Sequence, residues 1–199
     1  SMHNKMRAVW TKAMSRSEIA SRSDELERIA KDVLERVRVQ FEAGETVDLM
    51  IVIQRYALRF VASIFAIPEE RLGVIQRWNQ MSSDGPVLEL ADEGAARAQH
   101  LAAKQGVYDL VQEAVADRRE RLLRGEAPQD LVGLMAAAEG RDGITPAMVS
   151  DNLFNIIIGS DTTELWIGNA IVRLATNPQL RERLRAEPGR LEPALQEVM

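Results

Sequence analysis

One apolar segment, residues 148–176, constrains the fold of this chain more than any other feature. Its large apolar side chains recur at helical spacing, which predicts one long helix over about residues 147–176. Thr145 and Pro146 strengthen the prediction, because threonine is a favoured N-cap residue and proline a favoured first residue of a helix. The isoleucines of this segment could fill the core of any helical protein.

Polar residues interrupt the predicted helix at its middle. Residues 158–163 read Ile-Gly-Ser-Asp-Thr-Thr, so an acid and hydroxyl groups occupy consecutive positions. Buried polar groups of this kind are costly unless they have hydrogen-bond partners or a function. Two interpretations stay open: either the threonine hydroxyls donate to carbonyls one turn earlier and Asp161 pairs with an arginine, or the cluster is an active-site motif.

The rest of the chain also has the spacing of helices, and no segment has the alternating pattern of a strand. Start and stop signals predict the following helices: 21–41, 48–66, a short helix from Pro68 to a break at Gly85-Pro86, 92–124, and a last helix from Asn177-Pro178 through Arg185. The predicted class is all-α. Residues 1–199 are expected to form a single helical domain, with Ser1 read as a tag remnant.

Composition and charge exclude several classes of protein. The formal net charge of -5 argues against a nucleic-acid surface, because phosphate binding needs a basic excess. The sequence has no cysteine and only two histidines, so neither disulfides nor a metal site is expected. No apolar run is long enough to span a membrane and no signal peptide is found, so the prediction is a cytoplasmic protein.

Three stretches of the sequence resemble one known family. Residues 151–164, with Ile167-Gly168-Asn169-Ala170 and Ala175-Thr176-Asn177-Pro178 after them, closely resemble the central oxygen-binding helix of bacterial cytochrome P-450 enzymes. His3 and Arg7, four residues apart, resemble the family's His-x-x-x-Arg pair that contacts the haem propionates. Residues 195–199 resemble the approach to the family's Glu-x-x-Arg pair.

This resemblance implies an activity, a cofactor and a set of site residues. The family consists of haem-thiolate monooxygenases that act on small organic substrates, so haem is the implied cofactor. The roles carried over make Asp161 the proton relay and Thr162 the oxygen-side hydroxyl. The implied haem contacts are His3, Arg7, Trp10 and Gly159.

Two departures from the family argue against oxygenation by these residues alone. The family's iron is held by a cysteine thiolate, and this sequence has none. The family has alanine or glycine just before the motif glycine, at a position that faces the iron, and here that residue is Ile158. We therefore expect a truncated helical core, without the family's sheet-rich N-terminal part and cysteine loop, that binds no haem by itself.

Three functional classes follow from the resemblance and its departures. The first is part of a haem-thiolate monooxygenase. The second is a haem-free helical interaction or auxiliary protein derived from that family. The third is a haem-independent enzyme that uses Asp161, Thr162 or Glu164 as an acid or base in the old pocket.

The expected partner is a second copy of the chain. In the family the motif helix is covered by parts that this sequence lacks, so an apolar face should stay bare, which is unusual for a soluble monomer. Its members would be Ile156, Ile157, Leu165, Trp166, Ile171 and Leu174. A homodimer, or another protein partner, is expected to cover them.

Overall fold

The computed structural model of the chain describes residues 2–91 and 93–197, without the side chains of residues 2, 3, 12, 13, 83–91, 93 and 160. The helices of this described part are α1 (Met2–Ala13), α2 (Arg16–Ser21), α3 (Ser23–Glu42), α4 (Leu49–Phe65), α5 (Leu72–Ala91), α6 (Glu93–Leu123), α7 (Leu131–Ala138), α8 (Pro146–Ile158), α9 (Ser160–Thr176), α10 (Pro178–Ala186) and α11 (Leu191–Gln196). Short 3₁₀ turns precede α5 and α11. The described residues contain no strand, which confirms the all-α prediction. None of these helices is both long and apolar enough to cross a lipid bilayer.

Side-chain caps begin several helices where the sequence predicts a start. The Asp48 carboxylate accepts a hydrogen bond from the backbone N–H of Met50 at 2.9 Å, at the first turn of α4. Thr145 caps α8 in the same way at 3.2 Å, and Asn177 caps α10 at 3.0 Å. Each cap satisfies an N–H group that has no partner inside its own helix.

Two elements differ from the sequence prediction. α5 continues through Gly85 and Pro86, where the sequence predicts a break, because its long contact with α6 outweighs the backbone hydrogen bond that a proline removes. The sequence patterns do not predict α7. It starts at Asp130, whose carboxylate accepts a hydrogen bond from the N–H of Gly133 at 2.7 Å.

The core lies between α4, α5, α6, α7 and α8. Its largest fully buried side chains are Phe65, Ile75, Met135, Leu153, Ile157, Val107, Val111, Val115, Val132 and Val149. α8 contributes three of them at intervals of four residues, so one face of this helix is completely buried. α8, the apolar helix that leads into residues 158–163, therefore forms one side of the core. α5 and α6 pack against it.

The face that was expected to stay bare is largely covered. Ile157 is fully buried, and Ile156, Trp166, Ile171 and Leu174 are partly buried. The indole Nε1 of Trp166 donates to the carbonyl of Leu195 at 2.9 Å, which holds α11 against α9. The helices present thus cover most of this face, while Leu165 is 61% exposed and Val172 is 60% exposed.

Candidate functional site

The motif lies at a break between two helices. α8 ends at Ile158 and α9 begins at Ser160, so the single helix predicted over about residues 147–176 is divided at Gly159. The first N–H groups of a new helix have no carbonyl partner within it. At this break the N–H of Thr162 donates to the Asp161 carboxylate at 2.7 Å, and the Thr162 hydroxyl donates to the Gly159 carbonyl at 2.8 Å. These two hydrogen bonds to side chains replace part of the backbone hydrogen bonding that a continuous helix would have.

Asp161 and Thr162 are exposed rather than buried, which corrects the expectation that both are buried polar groups. The back-bonding interpretation is right for the Thr162 hydroxyl, which reaches a carbonyl three residues earlier. It is wrong for Asp161, which caps its own helix and has no arginine partner among the described residues. Water can therefore reach both polar groups of the predicted catalytic pair.

The buried acid of the motif is Glu164, which is 8% exposed. Burial raises the pKa of its carboxyl, and the negative charge of Asp161 raises it further. The side chains of Gln54 and Asn79 oppose this rise in pKa. The Oε1 atom of Glu164 nevertheless has no hydrogen-bond partner within the described part of the chain.

A small polar cluster surrounds Glu164 where α4, α5 and α9 meet. Gln54 lies on α4, and its side-chain oxygen accepts a hydrogen bond from Gln76 of α5 at 3.3 Å. Asn79, also on α5, is 5% exposed. Amide side chains can donate to an ionised carboxylate, and they can donate to or accept from a neutral carboxyl group, so this cluster tolerates a neutral or an ionised Glu164.

The residues predicted to contact haem propionates lie on α1, which packs mainly against α7. The side chain of His3 is outside the described residues. Arg7 is exposed, and Trp10 is partly buried against the core. The Nε1 atom of Trp10 is buried and has no hydrogen-bond partner among the described residues, so one indole donor on this helix is unused.

Comparison with known proteins connects this geometry to one family, although no family model matches the chain. Cytochrome P-450 107B1 of Saccharopolyspora erythraea is 25% identical over 203 residues, which is 99% of this chain and 45% of that protein. Mycinamicin IV hydroxylase/epoxidase of Micromonospora griseorubida is 25% identical over 202 residues, covering 98% of this chain and 46% of that protein. Cytochrome P-450 BJ-3 of Bradyrhizobium diazoefficiens is 24% identical over 211 residues, covering 99% and 45% respectively.

A solved structure shows the same fold. A cytochrome P-450 of Mycobacterium marinum in complex with pseudoionone superposes with a TM-score of 0.78 at 20% identity, over 94% of this chain and 44% of that chain. This chain has the fold of the central helical part of a cytochrome P-450. Its sequence resembles that of cytochromes P-450 along almost its whole length, and it spans about half the length of the curated relatives it matches.

The described residues of this P-450-like chain leave space beside Gly159, and the sequence offers no thiolate to ligate a haem iron. Gly159 is exposed, and a Cβ atom at this position would meet only the carbonyl oxygens of Asn155 and Ile156, at 3.5 Å. A planar group could therefore approach the backbone closely here. The sequence has no cysteine to supply a thiolate, so these 199 residues cannot complete a haem-thiolate centre.

Sequence reasoning missed the importance of the residues around Glu164. Glu164 was a candidate acid only in the haem-independent alternative, while Gln54 and Asn79 were not singled out. A glutamate three residues after Asp161 shares its helix face, and that spacing could have indicated a carboxyl pair.

Proposed function

We propose that these residues form the oxygen-side helical part of a haem-thiolate monooxygenase that acts on a small organic molecule, and that they do not oxygenate a substrate by themselves. The observation that carries this proposal is the break at Gly159, which places an acid, a hydroxyl and an exposed glycine next to one another. The similarity to cytochromes P-450 over nearly the whole chain supports it.

A bound haem would supply the oxygen chemistry, and the residues of this chain would supply position and protons. Asp161 is exposed, so it can exchange protons with water, and its carboxylate is held by the N–H of Thr162. The Thr162 hydroxyl is fixed by its bond to the Gly159 carbonyl. Gly159 would leave room for the haem, and the exposed Arg7 would offer hydrogen-bond donors to its carboxylates.

The names of the relatives support a small organic substrate without defining it. One relative is named for the hydroxylation and epoxidation of mycinamicin IV, and the solved structure contains pseudoionone. We therefore propose a small organic substrate for the complete site.

The absence of a thiolate supports the second part of the proposal, which is that these residues do not oxygenate a substrate by themselves. A cysteine thiolate donates the electron density that favours O–O bond cleavage in this family, and no residue of this sequence can replace it. Ile158 adds a steric argument, because its side chain stands where the family has alanine or glycine. It is half-buried and packs against the core, so part of its bulk points away from solvent.

An absorption spectrum of the purified chain, recorded with and without added haem and combined with an intact mass, tests this proposal. We expect the mass of the polypeptide alone and no thiolate-type spectrum after haem addition. Gly159→Leu is a matched variant, because it fills the space in front of the break. A weak haem signal that Gly159→Leu removes would support the oxygen-side assignment, whereas a stoichiometric haem-thiolate spectrum of the wild-type chain would contradict the proposal.

We also propose that a partner covers α9 in solution, most simply a second copy of the chain. Leu165 and Val172 are seven residues apart on α9, so they share one face, and both are more than half exposed. A helix face with two large exposed apolar side chains favours an interface over a solvated surface.

A further inference from the structure

Glu164 is a buried acid one helical turn beyond the acid of the motif. Its side chain lies where α9 meets α4 and α5, and it is only 8% exposed. No lysine or arginine is among the groups that act on it, and its Oε1 atom has no hydrogen-bond partner in the described part of the chain. The structure thus buries a carboxyl group without a compensating positive charge.

Burial of this kind favours the protonated form. Moving an ionised carboxylate out of water without a cation is costly, and this cost raises the pKa of the group. The amides of Gln54 and Asn79 are neutral, and the break between α8 and α9 brings no cation to the site. A neutral Glu164 carries an O–H group that can be donated.

Asp161 lies three residues before Glu164 on the same helix, and its environment differs from the buried environment of Glu164. It is exposed, and its Oδ1 atom accepts the N–H of Thr162, which leaves Oδ2 to bind a proton. Residues three apart on a helix are neighbours on its surface. One carboxyl of this neighbouring pair is in contact with solvent and the other is in the interior.

We propose that Asp161 and Glu164 form a proton-exchange pair in which Glu164 is the buried, proton-bearing member and Asp161 the solvent-facing member. This inference rests on the proposed function, in which Asp161 is the acid of the motif. In the exchange step, the O–H bond of Glu164 breaks, an O–H bond forms at Oδ2 of Asp161, and the negative charge moves from Asp161 to Glu164. Asp161, which is exposed, can then release this proton, and a proton taken up from water at Asp161 and passed back restores the neutral Glu164, so no other reactant is needed.

The pair would keep a proton beside Thr162 under conditions in which an exposed carboxyl has lost its own. A free glutamate titrates at about 4.3, and the raised pKa of Glu164 keeps its proton bound to a higher pH than that. The groups that set the pKa of Glu164 are Gln54 from α4, Asn79 from α5 and Asp161 from α9 itself. The other helices in contact with α9, which are α8, α10 and α11, add no charged group to this set in the described residues.

Carboxyl ¹³C NMR titration of the haem-free chain tests the pair directly. We expect Glu164 to titrate above the value of about 4.3 for a free glutamate and to titrate at lower pH in Asp161→Asn, because that change removes the neighbouring negative charge. Glu120→Gln is the matched control: Glu120 is exposed on α6, and its replacement removes one charge without moving the Glu164 midpoint. If Asp161→Asn disturbs the start of α9, Asp161→Ser is neutral and keeps an oxygen acceptor for Thr162.

Each outcome of the titration is decisive for the pair. A Glu164 midpoint at or below that of a free glutamate would overturn the proposal, because Glu164 would then be ionised. A raised midpoint that neither Asp161 variant changes would also overturn it, because Glu164 would then be a structural residue without coupling to the motif. The titration needs no haem, so a haem-thiolate spectrum would contradict the proposed function and leave the pair intact, whereas an ordinary Glu164 midpoint would contradict only the pair.

Discussion

Gly159 has a backbone that any residue can adopt, since its φ is -72° and its ψ is 1°. A Cβ at this position would make only ordinary contacts, at 3.5 Å from two carbonyl oxygens. Gly44 differs, because its φ of 75° lies in the left-handed region that favours glycine. The backbone conformation therefore explains why residue 44 is glycine, but it does not explain why residue 159 is. A glycine at 159 agrees with the proposal that another group must come close to the chain at this point.

We predict that Gly159→Ala stabilises the chain or leaves its stability unchanged. Where the backbone conformation suits both residues, alanine in place of glycine stabilises a protein by roughly 0.4–1 kcal/mol because it restricts the unfolded chain, and no clash opposes the change here. Gly44→Ala is the control and should lower the free energy of unfolding by about 1 kcal/mol, because alanine is strained at positive φ. Urea unfolding measures both, and a clear loss of stability in Gly159→Ala would show that the break itself needs glycine.

The raised pKa of Glu164 predicts a pH dependence of stability. Above the unfolded-state value of about 4.3, the folded chain keeps a proton on Glu164 that the unfolded chain has released. The stability that this proton contributes is complete below that pH and is lost as the pH rises through the folded-state pKa. Glu164→Gln is neutral at every pH, so its stability relative to the wild type should rise over this window.

Urea unfolding of the wild type, Glu164→Gln and Glu120→Gln, measured from about pH 4 to pH 8, checks this prediction. Subtracting the free energy of unfolding of the wild type from that of each variant, at every pH, removes the contribution of the other carboxyl groups. A constant or falling difference for Glu164→Gln would show that Glu164 is ionised in the folded chain over this range.

At the scale of the elements, the contact between α4 and α9 depends on a small residue. A Cβ atom at Gly168 would lie 3.1 Å from the Sδ atom of Met50. Met50 is 44% exposed, so the end of its flexible side chain can move by a few tenths of an ångström.

We predict that Gly168→Leu lowers the free energy of unfolding by about 1–3 kcal/mol, because the larger side chain forces α9 away from α4. Gly168→Ala is the matched control and should be tolerated. Chemical denaturation compares the two variants. Equal stability of Gly168→Leu and the wild type would mean that α4 and α9 are not held at this distance in solution.

The elements also show which parts of the fold the sequence predicts. Asp48, Thr145 and Asn177 are local signals, since a capping side chain acts on the backbone two or three residues away. The break at Gly159 depends on a competition between backbone and side-chain hydrogen bonds. The periodicity of apolar residues does not predict this break. The burial of Glu164 depends on α4 and α5, which are more than 70 residues away in sequence. The motif thus predicts a candidate site at this place, but it does not predict which of the acids in the motif is buried.

At the scale of the whole molecule, the homodimer remains a prediction. The helices present cover most of the apolar face of α8 and α9, so the expected interface narrows to the face of Leu165 and Val172. We predict that the double change Leu165→Lys and Val172→Lys yields a folded monomer, because both side chains are exposed.

Trp166→Lys should instead unfold the chain in part, since Trp166 is partly buried and bonds to the carbonyl of Leu195. Sedimentation at several concentrations, with circular dichroism for folding, separates these outcomes. A wild-type chain that is a well-folded monomer at micromolar concentration would show that no second copy is needed.

The central claim is that this chain carries the oxygen side of a cytochrome P-450 site without the means to ligate its iron as a thiolate. The reduced, carbon monoxide difference spectrum of the chain reconstituted with haem tests this claim most directly. The claim predicts no thiolate-type band at any haem concentration, because the sequence contains no cysteine. A stoichiometric thiolate-type band from the pure chain of confirmed mass would contradict it.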